Sequence, residues 1–369
     1  MPLLFRLICE SVQPEAKQVD FLVASGTHVP LKEEEMLRHV GITKEQKETR
    51  YAGVRLFNHN WDKAENLTTI GNVPASETSA LTGGLLNEDI PVQLNRLILN
   101  YDLLVVVGPV FPHEVVGFSG GNKYFFPGIA GPEIVNATHW LGALITNVKV
   151  NGTKTTPVRA VMNRAAAMIP AEKRCFSFVA VHDGLKGMYF GTPEEAWSAA
   201  ADLSAQVHIA HVDRTYRTIL GIAPRMYDEI WTAGKVMYKL EQIVADGGEL
   251  IIFAPHITEV SVTHGKNIEK VGYHIRDYFL KQWDRFKDVP RAVLAHSTHV
   301  RGTGVFENGV EKPRIQVTLA TGISESRCRM INLGYRDPSK INLDEWKDRE
   351  NEGILVVPNA GETLYKLHV

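Results

Sequence analysis

The stretch that decides the fold is VVVGPVFPHEVVGFSGGNKYFFPGIAGPEIVNATHW, from Val105 to Trp140. Its first residues complete an apolar run, Leu103 to Val107, too short for a core helix and rich in the β-branched residues of a buried strand. Gly108 and Pro109 end that strand and deliver His113 into a loop. Ligands in open α/β sheets gather outside the carboxyl ends of the strands, so the histidine stands where binding is expected. Gly117, Ser119, Gly120 and Gly121 then permit tight backbone turns and close approach to an anionic group, with Lys123 two residues on. The loop lacks both GxxxxGK[ST] and GxGxxG. Taken alone, such a cluster also reads as a plain tight turn.

Outward from this segment, short aliphatic runs alternate with longer amphipathic ones. VDFLVAS precedes LKEEEMLRHVG, GELIIFAP precedes EKVGYHIRDYFLKQWDRF, and PRAVLAHS and ILVVP follow. That alternation predicts an α/β fold with mostly parallel sheets flanked by helices. Apolar residues at Ile268, Val271, Ile275, Phe279 and Trp283 predict one helix from Ile268 to Phe286, and PRAVLAHS reads as a strand. The polar HVDRTYRT stretch with Pro224 beyond it suits a hinge. The expected organisation is an N-terminal unit of residues 1–218, a second α/β unit of 219–337, and a segment 338–369 returning to the first, with the active site in the cleft between the two domains.

The chain has 369 residues, 42 acidic against 40 basic, a net charge of −2 and 44% hydrophobic residues. That length suits about two domains. The charge balance offers no field for a phosphate polymer or an anionic membrane surface, so neither nucleic acid nor membrane is an expected partner. The N-terminal MPLLFRLICESVQPE is too short in apolar length for a signal peptide, and no run approaches a membrane span. A cytoplasmic location is the expectation. Cys9, Cys175 and Cys328 are odd in number and widely spaced, which predicts reduced core thiols rather than a disulfide framework or thiolate metal site.

Several strand-end loops carry chemistry. Lys123 precedes Tyr124, Phe125 and Phe126, an apolar setting that favours a neutral, nucleophilic amine; a surface lysine beside a core aromatic pair is the other reading. His139 lies sixteen residues on, between Thr138 and Trp140, as a ligand or as a packed or capping residue. His59 follows an apolar run and is flanked by Asn58, Asn60 and Asp62, where Asp62 orients an imidazole or caps a turn. VASGTHVP places Thr27 and His28 in another candidate anion-binding loop. In the second half, His256 and His264 follow a buried strand, GYHIRDY offers Tyr273, His274 and Arg276, and LAHSTHVRG offers His296, Ser297, His299 and Arg301.

The order PHEVVGFSGGNKYFFPGIAG with His139 beyond it resembles the lactate racemase family, whose members use a nickel-pincer nucleotide: a pyridinium mononucleotide carrying nickel between two sulfur atoms and a ring carbon. The resemblance implies His113 as a catalytic acid/base and His59, in its NHNWD context, as the second. It implies Lys123 as the covalent attachment point of the cofactor through a thioamide, and His139 as the protein nickel ligand. Ser119, Gly120, Gly121, Thr27 and His28 would surround the cofactor. His256, His264, Tyr273, His274, Arg276, His296 and Arg301 would supply the substrate wall. Where the lactate enzyme ends its Asp-His-Thr-Arg turn with arginine, this chain has Val29, and a bidentate guanidinium cannot come from valine. The substrate implied is therefore a small 2-hydroxy acid other than lactate.

The implied reaction is racemisation or epimerisation at C2. Removing a C–H proton beside a carboxylate is difficult, whereas removing hydride while a base takes the hydroxyl proton gives a planar 2-oxo acid. Two imidazoles serve the two enantiomers, and a soft metal centre wants an imidazole ligand. The site should be closed and dry. Protein made without the cofactor's biosynthetic enzymes would be apo, and the oligomeric state stays open. Two other readings are a zinc hydrolase assembled from distant histidines, since no HExxH is present, and a nucleotide-binding or cofactor-storage protein without turnover.

Overall fold

A computed structural model describes residues 1–181 and 184–368. The fold is α/β. Its N-terminal strands are β1 (Asp20–Val23), β2 (Arg55–Asn58), β3 (Leu67–Val73), β4 (Ile90–Asn95), β5 (Leu103–Pro109), β6 (Pro112–His113), β7 (Gly117–Phe118), β8 (Glu172–Val181) and β9 (Gly184–Gly191). β1 and β2 pair in parallel, β3 and β4 antiparallel, and β5 runs parallel to β8, which carries β9 antiparallel on its far side. β6 and β7 form a minimal hairpin that pairs His113 with Gly117.

The remaining strands are β10 (Ile209–Val212), β11 (Tyr216–Ile222), β12 (Val244–Ala254), β13 (Gly304–Glu307), β14 (Val310–Pro313), β15 (Gln316–Thr321), β16 (Gly334–Tyr335), β17 (Ile354–Val357) and β18 (Leu364–Leu367). Five of them make an all-parallel sheet in the order β16-β15-β12-β11-β17. Parallel sheets need cover on both faces, and the side chains show it. Ile219, Leu250, Ile252 and Leu319 turn into the main core, while Leu220, Ile251 and Ala320 pack against Ile341 and Trp346 on the other side. β17 forms one edge of this sheet beside β11, and β18 pairs with β10.

Two helices carry the site and pack along each other: Pro132–Ile145 and Arg291–Arg301. In the first, Ile134 and Leu141 are fully buried. The second corrects an expectation, because PRAVLAHS is helical rather than a strand. Every residue from Ala292 to Arg301 is buried, so the segment is covered all round and its apolar run carries no period to separate strand from helix. Pro290 precedes its first turn, and Gly302, at φ +84°, ends it.

A second correction concerns Ile268 to Phe286, expected as one helix. The chain forms three short ones, Gly265–Val271, Arg276–Leu280 and Trp283–Phe286. Gly272 turns out of the first at φ +75°, and the Tyr273 amide bonds to the Ile331 carbonyl instead of continuing the ladder. The apolar side chains still point inward, with Ile268, Ile275 and Phe279 almost wholly buried. Burial of those residues therefore does not depend on one continuous helix. Cys9, Cys175 and Cys328 are free and buried, as expected. Among the described residues no helix is long and apolar enough to cross a membrane.

Candidate functional site

Lys123 sits in the one-turn 3-10 helix Gly121–Tyr124, whose position is set by the glycine loop before it. Gly117 adopts φ +90°, and a Cβ there would lie 1.9 Å from the Thr153 carbonyl oxygen. Gly121 adopts φ +58°, and a Cβ there would lie 2.8 Å from the Cβ of Trp197. Both positions need glycine for conformation and for space. The Arg159 guanidinium donates to the carbonyls of Phe118 and Gly120 and stacks over Trp197 at 4.2 Å. Asn122 donates to Glu194 at 2.6 Å and Asn163 at 3.0 Å.

Ser119, Gly120 and Gly121, expected as cofactor contacts, shape the loop itself. The Ser119 hydroxyl donates to the Pro109 carbonyl at 3.1 Å and accepts from the Phe111 amide at 2.9 Å, and all three residues are buried. They brace the turn that presents Lys123.

The Lys123 amine makes no hydrogen bond or ion pair among the described residues. It is half-buried and keeps some solvent contact. Burial pulls its pKa down to about 8; Glu114 opposes the shift, while Arg159 and Lys235 add to it. A sizeable share of this amine is neutral near pH 8.

His139 projects from the Pro132–Ile145 helix. Its Nδ1 donates to the Val135 carbonyl at 2.7 Å, which fixes the tautomer and leaves Nε2 with its lone pair free. Burial holds its pKa down to about 4, offset in part by that hydrogen bond and lowered further by Lys123, His264 and His28. His113 leaves the β6 hairpin with Nδ1 accepting from the Val115 amide at 3.1 Å and 3.5 Å from a Glu114 carboxylate oxygen. The neutral ring thus carries its proton on Nε2. Burial, then Lys123 and Lys239, keep it well below the ordinary histidine range.

The structure separates His28 from His59. His28 is solvent-reachable while packed among charged groups, and its pKa is lowered by burial and then by Lys235 and Lys123, with Asp228 opposing. Its turn is docked on the lysine loop through the Gly26 amide, which donates to the Gly128 carbonyl at 2.8 Å. His59 is fully buried, with Nε2 donating to the Ala130 carbonyl at 3.0 Å and Nδ1 accepting from the Asn95 amide at 3.3 Å. Both ring nitrogens are taken, so His59 pins the end of β2 to β4 and to the start of the Pro132–Ile145 helix. Asp62 makes no hydrogen bond to it.

Of the second-half candidates, His264 joins the cluster, its Nε2 3.3 Å from the Thr27 hydroxyl and its pKa lowered to about 4 by burial and then by His28. Trp231 stacks on it at 4.2 Å and on His296 at 4.1 Å. His296 is fixed by the hydroxyls of Tyr238 at 2.8 Å and Tyr273 at 3.2 Å, so His296 and Tyr273 support the wall from behind. The others make contacts within the fold. His274 bonds Glu311 at 2.7 Å and stacks on Tyr278, Arg276 bonds the Leu144 carbonyl and Asp277, and His256 bonds the Tyr227 carbonyl. Arg301 is buried, which lowers its pKa, and the charge of Glu311 opposes that shift.

Sequence reasoning missed Lys235 and Lys239. They lie one helical turn apart on Lys235–Leu240, whose Val236, Met237 and Leu240 are fully buried. Two lysines four apart in an otherwise apolar run, IWTAGKVMYKL, were the available signal. Lys239 is 2% exposed and donates to the Pro112 carbonyl, next to His113. Burial lowers it to about 7, with Glu114 opposing and Lys235 adding. Three amines, Lys123, Lys235 and Lys239, thus share the Glu114 carboxylate, so cations outnumber it locally. Among the described residues no three His, Cys, Asp or Glu side chains gather as a metal cage, so the zinc-hydrolase reading finds no ligand set there.

Fold and site together define an α/β protein in which the Lys123 amine stands among other amines and several histidines of lowered pKa. Residues 1–151 match the lactate racemase N-terminal domain. Lactate racemase of Thermoanaerobacterium thermosaccharolyticum is 30% identical over 135 residues, 36% of this chain and 27% of that protein. Lactate racemase of Lactiplantibacillus plantarum is 29% identical over 138 residues, 37% of this chain and 28% of that protein. The matched stretch thus spans about a quarter of these curated relatives. A crystal structure of a Thermotoga maritima protein superposes with a TM-score of 0.90 at 36% identity, over 99% of this chain and 89% of that one. The lactate racemase apoprotein of T. thermosaccharolyticum shares the fold, with a TM-score of 0.73 at 19% identity over 99% and 82%. Residues 1–151 thus carry the lactate racemase N-terminal domain, and the matches to lactate racemases support that family for the chain.

Proposed function

We propose that this protein is a nickel-pincer nucleotide-dependent racemase or epimerase that inverts C2 of a 2-hydroxy acid. The observation that carries the reading is the pairing of an unpartnered, pKa-lowered Lys123 amine with a His139 whose Nε2 is free, inside the region that matches the family. The fit to the cofactor is good on chemical grounds: an amine with a sizeable neutral share suits acylation into a thioamide, and an imidazole locked by its Nδ1 hydrogen bond suits a soft metal. When bound, the nickel pincer supplies the acceptor and donor of the C2 hydride.

The protein's own groups do the rest. Lys235 holds the substrate carboxylate, a role open because Val29 offers no cation. His113 and His28 are the two acid/bases, with His28 in the place first assigned to His59. As it stands His113 presents Nε2–H, a proton donor. When Nδ1–H turns to Glu114, Nε2 becomes an acceptor for the substrate hydroxyl proton. Trp231 and His264 wall the cavity and limit water. The division into units of residues 1–218, 219–337 and 338–369 remains part of this proposal, with the first boundary moved ahead of Tyr216, where β11 begins.

The test is intact-mass analysis and turnover of protein made in a cofactor-producing host. An adduct mapped to Lys123, with interconversion of 2-hydroxy acid enantiomers and retention of a C2 deuterium label, is expected. Activity without the adduct, or loss of C2 deuterium to solvent, overturns the reading. A stable adduct with no turnover of any hydroxy acid favours cofactor storage.

A further inference from the structure

Lys239 is a buried charge that the proposed reaction does not use. Among the described residues it forms no ion pair, and its one hydrogen bond goes to the carbonyl of Pro112. An ammonium taken out of water with a lone carbonyl for partner is a cost to the fold. Its helical neighbours Val236, Met237 and Leu240 are fully buried, so an unbranched apolar side chain would suit the same position at no such cost. Stability does not account for this lysine.

The place of its hydrogen bond does. The Pro112 carbonyl belongs to the peptide plane that leads into His113, and the hairpin carrying both residues is only two pairs long, Pro112 with Phe118 and His113 with Gly117. So short a ladder holds its own geometry weakly. The tie from Lys239 comes from 127 positions along the chain, and the same amine lies 6.0 Å from the ring of Phe111, the residue before Pro112. We infer that Lys239 is a positioning residue for His113: its amine fixes the Pro112–His113 peptide plane and with it the direction of the imidazole. Lys235 stands one turn earlier on the same helix. That turn therefore links the amine proposed for the substrate carboxylate to the ring proposed for the substrate hydroxyl. The inference deepens the proposed function and depends on it only where turnover is read. Charge acts in the same direction, since Lys239 joins Lys123, His139 and Lys235 in disfavouring protonation of His113, while Glu114 stands 3.5 Å from Nδ1.

Lys239→Met tests this with and without cofactor. In the apo chain the melting temperature should equal or exceed that of wild type. NMR of 15N-labelled histidine, with the His113 signal assigned by its loss in His113→Gln, should show the ring taking up a proton at higher pH than in wild type and no longer held in one tautomer. In cofactor-loaded protein kcat should fall about ten- to hundredfold while KM stays within about twofold, which separates lost alignment from lost binding. Lys239→Gln removes the same charge and is the second probe should the methionine variant misfold; the same NMR changes are expected. A His113 titration and tautomer identical to wild type overturn the inference, whether or not any hydroxy acid is turned over. So does a melting temperature well below wild type in both variants, which would make the lysine a tie for the fold alone. Should the NMR changes appear while wild type turns over no hydroxy acid, the proposed function fails and the positioning of His113 stands.

Discussion

Nδ1 of His139 lies 2.7 Å from the carbonyl oxygen of Val135, one turn earlier on the same helix. A helix carbonyl that accepts a side-chain proton in this way commits the imidazole to a single tautomer, and the free nitrogen faces away from the backbone. In the proposed reading that nitrogen is the metal ligand. His139→Ala should therefore leave the fold intact and abolish turnover, with the metal content of cofactor-loaded protein falling at least tenfold. Equal nickel content in variant and wild type, read by elemental analysis, would remove His139 from the site.

His28 and His59 should separate cleanly on substitution. His28→Ala is expected to lower turnover by at least a hundredfold while the melting temperature stays within a few degrees. His59→Ala loses two buried hydrogen bonds and leaves a cavity, so it should cost about 2–4 kcal/mol of stability in denaturant titration. A His59 variant that keeps wild-type stability but loses activity would return that residue to the catalytic set.

The Lys123 amine, near pKa 8 and solvent-reachable, should outcompete ordinary lysines for acylating reagents at pH 8. Lys239 has a still lower pKa of about 7 but is closed off at 2% exposure. Competitive labelling with peptide mapping should rank Lys123 first. Labelling no faster than at surface lysines would contradict the lowered pKa of this amine.

Acid should destabilise the apo protein. His139 and His264 are held at about 4 and His299 at about 3, all below the ordinary 6.5, so the unfolded chain binds more protons than the native one in this range. Stability is then fully present above about pH 6.5 and falls as pH drops toward 4. Thermal melts between pH 7 and 4.5 should show a steady decline, and a flat profile would mean that these rings are not buried as neutral groups.

Gly117→Ala tests the scaffold. A β-carbon 1.9 Å from the Thr153 carbonyl oxygen, at φ +90°, forces the lysine loop to move. A loss of about 3 kcal/mol or more, or insoluble protein, is expected. Wild-type melting would show that the loop yields.

Much of this was legible in the chain itself. The strand from Leu103, the glycine loop, Lys123 and His139 stand close together in one segment, where local rules apply: an aliphatic run ends at Gly-Pro, and glycines turn the backbone. The parallel α/β class followed from alternating periods for the same reason. Three things were settled only by long-range packing. PRAVLAHS is a helix whose neighbours bury it on every side, and a segment covered all round shows no period. Of the histidines that follow strands, His28 is exposed and His59 is locked to Ala130 and Asn95, residues 71 and 36 positions away in the chain. The cationic character of the site comes from Lys235 and Lys239, brought beside Lys123 and Glu114 by the fold. Sequence records which groups are available, but which of their atoms remain free is decided by distant partners that chain order does not display.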